Sequence, residues 1–277
     1  MKHISKNIFC VILTIILSIP AISQIKGNGN IVKQKRDITA FSKINVKNGW
    51  DLVLSQGEEY SLKIEAEENL IDIVVTEIEN GVLNIYSNIN ILKSKRRRLH
   101  LSFRELNSIE ASGSSDIFAK TPIQSNIFKL DLKGSSDVDK LSFQGKKIIG
   151  NFKGSSDVII NFISSADIEI VASGSSDITL TNIDAEKCNL KLSGSSDAIL
   201  NGKVTNLEIH ASGNVDIESY NLKAINGKLN LSGSSDAEMN ITKSLDINLS
   251  GGSDLELKGN PKIINKKICS SCKIEMN

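Results

Sequence analysis

The chain has 277 residues, a formal net charge of +1, and 40% hydrophobic but only 4% aromatic residues, with Trp50 the one tryptophan. So even a charge balance gives no electrostatic draw to nucleic acid or to an anionic membrane, and so few aromatics leave little stacking surface for bases or sugar rings. The length is enough for one large domain with a substantial core.

Residues 1–23 read as a secretory signal peptide, with Lys2 and Lys6 as the positive start, Ile8 to Ile19 as the apolar run and Ala21-Ile22-Ser23 as the small-residue cleavage site. The run is short for a membrane span, and the competing reading is a buried N-terminal strand. Cys10 lies at the front of the run, not after it, which argues against lipid attachment. The mature chain then begins near Gln24, and no later stretch is long and apolar enough for a membrane span. Residues 24–37 are polar and contain glycine, and read as a lead-in segment.

From Ile38 the alternation of strands begins, in Phe41-Ser-Lys-Ile44-Asn-Val46, Trp50-Asp-Leu52-Val-Leu54, Tyr60-Ser-Leu62-Lys-Ile64 and Gly81-Val82-Leu83-Asn-Ile85. Asn48-Gly49-Trp50-Asp51 reads as a shortened copy of the corner that dominates the later chain. Gly49 lies 64 residues before Gly113, roughly three repeat periods. Residues 38–105 are therefore either degenerate early coils or a β cap over the end of a repeat stack, which such a stack needs to hide its core and its strand edge. The block Lys93-Ser-Lys95-Arg96-Arg97-Arg98-Leu-His100 is the one strong run of charge. It could meet acidic polysaccharide, lipid head groups or nucleic acid. With no aromatics beside it nucleic acid is not expected, and the simpler reading is a solvated loop between strands.

From residue 106 to 277 the chain is a repeat. Gly-Ser-Ser-Asp stands at Gly113–Asp116, Gly134–Asp137, Gly154–Asp157, Gly174–Asp177, Gly194–Asp197 and Gly233–Asp236, with altered copies at Gly213–Asp216 and Gly251–Asp254. The glycines follow one another at 21, 20, 20, 20, 19, 20 and 18 residues, and a fixed period near twenty means a repeat architecture. Counted from each glycine, positions −4, −2, +4 and +6 are mostly apolar and the positions between them polar, the period of a strand with one buried face. Each unit reads as strand, sharp corner, strand and bend. Two strands and two bends in twenty residues leave no room for the crossover helix of a βαβ unit. Stacked, the units form a single-domain, all-β parallel β-helix, or β-solenoid, spanning residues 38–277.

Stacking also places Asp116, Asp137, Asp157, Asp177, Asp197, Asp216, Asp236 and Asp254 in one file along an edge. Neighbours one strand spacing apart repel by about 0.9 kcal/mol in water, tolerable if each carboxylate accepts backbone N–H groups at its own corner. A ladder of corner-capping residues is the favoured reading, and a row of calcium sites the competing one; one carboxylate per repeat is sparse beside nine-residue calcium repeats. No other cofactor is expected. Cys269 and Cys272 fall 18 residues after Gly251 and Asp254, where the next corner is due, so Cys replaces both Gly and Asp there. In an oxidising compartment they could form a disulfide that pins the last turn; two free thiols are the alternative, and zinc would need two further ligands. Cys188, at an inward position, reads as a core residue.

No catalytic residues stand out. His100 and His210 belong to no paired motif, His210 faces outward, and Gly-Ser-Ser-Asp is not the G-x-S-x-G elbow. The repeated corner, with Phe41-Ser-Lys-Ile44, Trp50-Asp-Leu52-Val-Leu54 and Ile64-Glu-Ala-Glu-Glu-Asn69, resembles the putative auto-transporter adhesin, head GIN domain family of exported bacterial proteins, over roughly residues 38–276. The resemblance implies an all-β solenoid at the cell envelope and brings no catalytic residues. The chain carries no C-terminal membrane barrel, so a self-translocating autotransporter is not expected. The favoured function is a non-catalytic envelope or surface protein that binds an envelope, host-surface or polysaccharide partner through its solenoid faces. Its location would be the periplasm, the outer-membrane surface or the medium. The alternatives are a carbohydrate-active enzyme, which would show two carboxylates converging off the repeat columns, and a purely structural periplasmic protein.

Overall fold

The computed structural model describes residues 24–277; the signal-peptide reading of residues 1–23 lies outside them. The described chain is a β-solenoid of about eight turns, and its one helix is the single turn Glu68–Ile71. Each coil has a leading strand that ends at the corner glycine and a trailing strand that starts after the aspartate. Successive coils pair in parallel with glycine on glycine, as in Gly113 on Gly134, Gly154 on Gly174, Gly174 on Gly194 and Gly213 on Gly233.

The core follows the alternation. Ile109, Leu130, Ile170 and Leu190 at −4, with Ile117, Val138, Val158 and Ile178 at +4, are buried in continuous columns. Where one column loses volume its neighbour supplies it. Gly150 stands at −4 of its coil, and a Cβ there would lie 2.6 Å from the ring of Phe152 at −2; the large ring fills both slots, as native packing density requires. The trailing strand after Gly134 carries a one-residue bulge against the next coil. Lys140 absorbs it with a positive φ of 52°, the ladder shifts between Val138 and Leu141, and Leu141 turns inward in place of Lys140.

The N-terminal region is both a coil and a cap. Lys43–Val46 pairs in parallel with Ser108–Ala111, and Asp51–Gln56 pairs with the strand Ile117–Ala119. The corner at Asn48–Asp51 therefore lies directly under that at Gly113–Asp116, and the 64-residue gap holds no intervening coil. Nor is this corner shortened: the register sets Asn48, with φ 65°, in the glycine slot and Asp51 in the aspartate slot. Between the two coils the chain leaves the solenoid path and also lays a further turn against the far side of the first coil, where Val82–Ser87 pairs in parallel with Lys43–Val46 and Arg97–Phe103 with Asp51–Gln56. Ser61–Glu67 runs antiparallel to Arg97–Phe103 and to Ile31–Arg36, and Val74–Glu79 makes a hairpin with Val82–Ser87. The segment read as a lead-in thus contributes Ile31–Arg36 to the cap and Gln24–Lys26 to a short pairing with Asn90–Lys93. Arg36 ties the cap together by donating to the carbonyls of Ile71 and Val74, both at 2.7 Å.

Candidate functional site

The corner residues divide into an inward and an outward column. The second serine of each corner, from Ser115 through Ser136, Ser156, Ser176, Ser196 and Ser235 to Ser253, is fully buried. In five of them, Ser115, Ser136, Ser196, Ser235 and Ser253, the hydroxyl donates to the carbonyl three residues back, as Ser196 does to Ser193 at 3.2 Å and Ser253 to Ser250 at 3.0 Å. Trp50 fills this inward slot in the first coil and donates from Nε1 to Ser87 at 2.6 Å. The sequence showed a buried strand face on either side of the corner, but not that the corner itself sends a serine into the core.

The aspartates form the outward file. Several carboxylates hold the next coil rather than their own corner: the Asp157 N–H donates to Asp137 at 2.9 Å, that of Asp216 to Asp197 at 3.2 Å and that of Asp254 to Asp236 at 3.1 Å, whereas the N–H groups of Asp177 and Asp236 go to the carbonyls of Ser156 and Val215. The expected satisfaction within a corner gives way because the corner's own N–H groups already reach the glycine carbonyl of the preceding coil, as Ser155 N reaches Gly134. The file is longer than the repeat showed. Asp51 joins it, Arg98 stands in register at one end and Lys273 at the other. Desolvation first, and the neighbouring aspartates next, push Asp116, Asp157 and Asp216 above the usual carboxylate range. Among the described residues no three His, Cys, Asp or Glu side chains converge on a common metal position.

The basic block is a loop only over residues 94–96, where the Lys95 N–H donates to Glu67; its second half is strand. Arg97–Phe103 is a strand in the middle of the cap, because Leu99, Leu101 and Phe103 alternate inward and are buried. Arg98 reaches Asp51 at 3.9 Å and lies over the Phe118 ring at 5.2 Å, and Arg97 donates to the Asn48 carbonyl at 2.7 Å. His100 meets Glu65 at 3.0 Å, and this hydrogen bond is the main reason Glu65 lies below the usual carboxylate range.

Cys269 and Cys272 are joined by a disulfide. They occupy other slots than the spacing implied. Ile268 pairs with Leu249 and Lys273 with Asp254, so Cys269 sits in the Ser250 slot and Cys272 in the inward Ser253 slot. The disulfide links the two positions that a serine hydroxyl joins to a carbonyl in earlier coils. Cys188 is fully buried, and desolvation pushes its thiol up to about 12, so it is a core residue without nucleophilic character.

Grooves mark both the leading and the trailing face. On the leading face of residues 171–250, Val171, Lys191, His210, Asn230 and Asn248 alternate with Ser193, Ser212, Ser232 and Ser250 along a groove of about 510 Å³. A second groove of about 210 Å³ shares Lys191 and His210 and adds Glu169, Asn189 and Glu208. Here His210 Nε2 meets Glu208 at 3.0 Å, Asn230 meets His210 Nδ1 at 3.3 Å, and Lys228 donates to Glu208 at 2.8 Å. The trailing face carries a groove of about 540 Å³ at the cap, lined by Lys35, Val53, Tyr60, Lys63, His100 and Lys120. At its other end lies one of about 350 Å³ lined by Asp216, Glu218, Asp236, Glu238, Asp254 and Glu256. These carboxylates are themselves repeat positions, not a pair set off the columns. No helix among the described residues is long and apolar enough to cross a membrane.

The family model described as "Putative auto-transporter adhesin, head GIN domain" matches residues 40–161 and again 150–261. A solved structure described as a putative adhesin from Parabacteroides distasonis ATCC 8503 superposes with a TM-score of 0.72 at 19% identity, covering 92% of this chain and 100% of that one. A putative lipid binding protein from the same organism gives 0.68 at 24% identity, with 92% and 100% covered. A putative adhesin from Parabacteroides merdae ATCC 43184 gives 0.67 at 18%, with 92% and 99% covered. At these identities the likeness is one of fold. No curated protein matches the chain.

Proposed function

Because the chain belongs to the putative auto-transporter adhesin, head GIN domain family, we propose that it is an exported, non-catalytic binding protein of the cell envelope. Its partner lies along the leading face of residues 171–250. The observation that carries this reading is the ladder of amide, hydroxyl, imidazole and ammonium groups at one-coil spacing in the joined grooves around Lys191, His210 and Asn230. Strands stack about 4.8 Å apart, so such a face offers a row of donors and acceptors to an extended, hydroxyl-rich chain. A polysaccharide of the envelope or of a host surface fits that chemistry. With few aromatics, hydrogen bonds rather than ring stacking would have to hold it.

The test is binding of the purified protein to an array of bacterial and host polysaccharides, set beside the variant Lys191→Ala, His210→Ala, Asn230→Ala. Specific binding that the triple variant weakens by about tenfold or more supports the reading, since each lost hydrogen bond contributes about 1 kcal/mol. Binding that the variant leaves intact would move the site elsewhere. Protease treatment of intact cells provides the location: cleavage without lysis places the solenoid outside, and protection until the outer membrane is opened makes it a periplasmic scaffold.

A further inference from the structure

The outward column two residues after the aspartates runs the length of the trailing face, and its chemistry changes along the way. At the cap end it is basic: Lys35 pairs with Lys63 and Lys63 with His100. In the middle it is largely apolar, with Val53, buried between His100 and Phe118, then Phe118, Ile159 at 36% exposure and Ile199 at 45%, separated by Asp139 and Thr179. Beyond Ile199 it is acidic, where Glu218 pairs with Glu238 and Glu238 with Glu256. Both ends are hollowed, by the 540 Å³ basic groove and the 350 Å³ acidic one.

We propose that this face is the interface of an antiparallel two-fold dimer, whose occupant is a second copy of this chain. A two-fold contact sets one surface against itself in reverse, and a column running basic, apolar, acidic is its own complement when reversed. With the axis at Ile159, the coil steps place Lys63 opposite Glu256, His100 opposite Glu238 and Phe118 opposite Ile199. Because the strand spacing is the same in both copies, one matched pair brings the rest into register. The aspartate file beside this column opposes the contact, since two such files repel. The copies therefore meet on the side away from the corner, where Asn161, Thr181, Asn201 and Asn240 carry no charge and Lys120 and Lys258 stand towards the two ends. The leading faces of both copies remain open.

The experiment is sedimentation equilibrium of the purified protein at low and high salt, with two sets of charge reversals. The wild type is expected at twice the chain mass at low salt and to dissociate as salt rises, because the end contacts are screened. Glu238→Lys with Glu256→Lys, and separately Lys35→Glu with Lys63→Glu, should each weaken the dimer by about tenfold or more, as like charges then meet at both ends. An equimolar mixture of the two variants should pair again, a recovery that misfolded chains could not give. A wild type at the chain mass under every condition would overturn the proposal. So would variants that dimerise undisturbed, a mixture that fails to pair, or an open series of masses above two.

Discussion

The glycine of each corner has a geometric task. Gly174 has a φ of 100°, and a Cβ there would lie 2.2 Å from the Gly154 carbonyl oxygen in the coil beneath. Both the backbone conformation and the close approach demand glycine. Gly174→Ala is expected to cost about 3 kcal/mol or more. Gly252→Ala, where the nearest atom is 3.9 Å away and φ is ordinary, should stay within about 0.5 kcal/mol. Chemical denaturation of the two variants compares them directly. At Asp116, burial and then Asp51 raise the carboxyl pKa, so the folded chain holds that proton more tightly than the unfolded one. Stability from this group therefore falls as pH rises through the raised value. Asp116→Asn, which keeps an acceptor for the Asp137 N–H, should raise the denaturation midpoint at neutral pH. The gain should shrink as the medium is acidified, and a gain that is the same at both pH values would contradict this origin.

Among the elements, the Cys269–Cys272 corner and the cap depart furthest from the repeat. The disulfide closes a loop of sequence separation 3, so chain entropy gives it only about 2 kcal/mol. That stabilisation falls on Lys262–Ile268 and Lys273–Met276, which pair only with the coil before them. Replacing both cysteines by serine should speed amide exchange in those two strands and leave the coils before Gly233 unchanged. Lys262, Lys266, Lys267 and Lys273 along this edge discourage pairing with other strands. In the cap, Asn80 and Gly81 both have positive φ, at 51° and 75°, which is the pattern of a two-residue hairpin turn. The dipeptide was legible as a turn signal, and it marks where the chain turns back antiparallel instead of continuing the coil.

Over the whole molecule, stability is close to a sum over coils and their interfaces, so coils paired on both sides should open last. Amides of Ile168–Ala211 are expected to exchange slowest, and uniform exchange along the chain would contradict that picture. The pH profile is also a property of the stack. Asp116, Asp157 and Asp216, all raised, add stability as pH falls from neutral. Glu65 and Glu208, held low mainly by hydrogen bonds from His100 and Lys228, contribute above the usual glutamate range and lose that contribution below it. Thermal stability should therefore peak in mild acid, near pH 4 to 5 by the ordinary carboxylate values, and a melting temperature that falls steadily from neutral pH downward would refute it.

The sequence by itself determined the solenoid, because a corner repeated near every twenty residues and a two-residue alternation admit few other foldings. It also determined the core columns and the aspartate file, since register carries equivalent positions into line. Only the tertiary structure decided what depends on pairing between distant segments. Asn48–Asp51 lies under Gly113–Asp116 because the residues between them go into antiparallel cap strands and into one parallel turn on the far side of the first coil, where spacing alone read three periods. The second half of the basic block, from Arg97, became a cap strand because Leu99, Leu101 and Phe103 find buried partners on Ser61–Glu67 and Asp51–Gln56. The cysteines took the Ser250 and Ser253 slots because the Ile268–Leu249 pairing, and not the count of residues, fixes the register. The grooves exist only once neighbouring coils set side chains from different repeats next to one another.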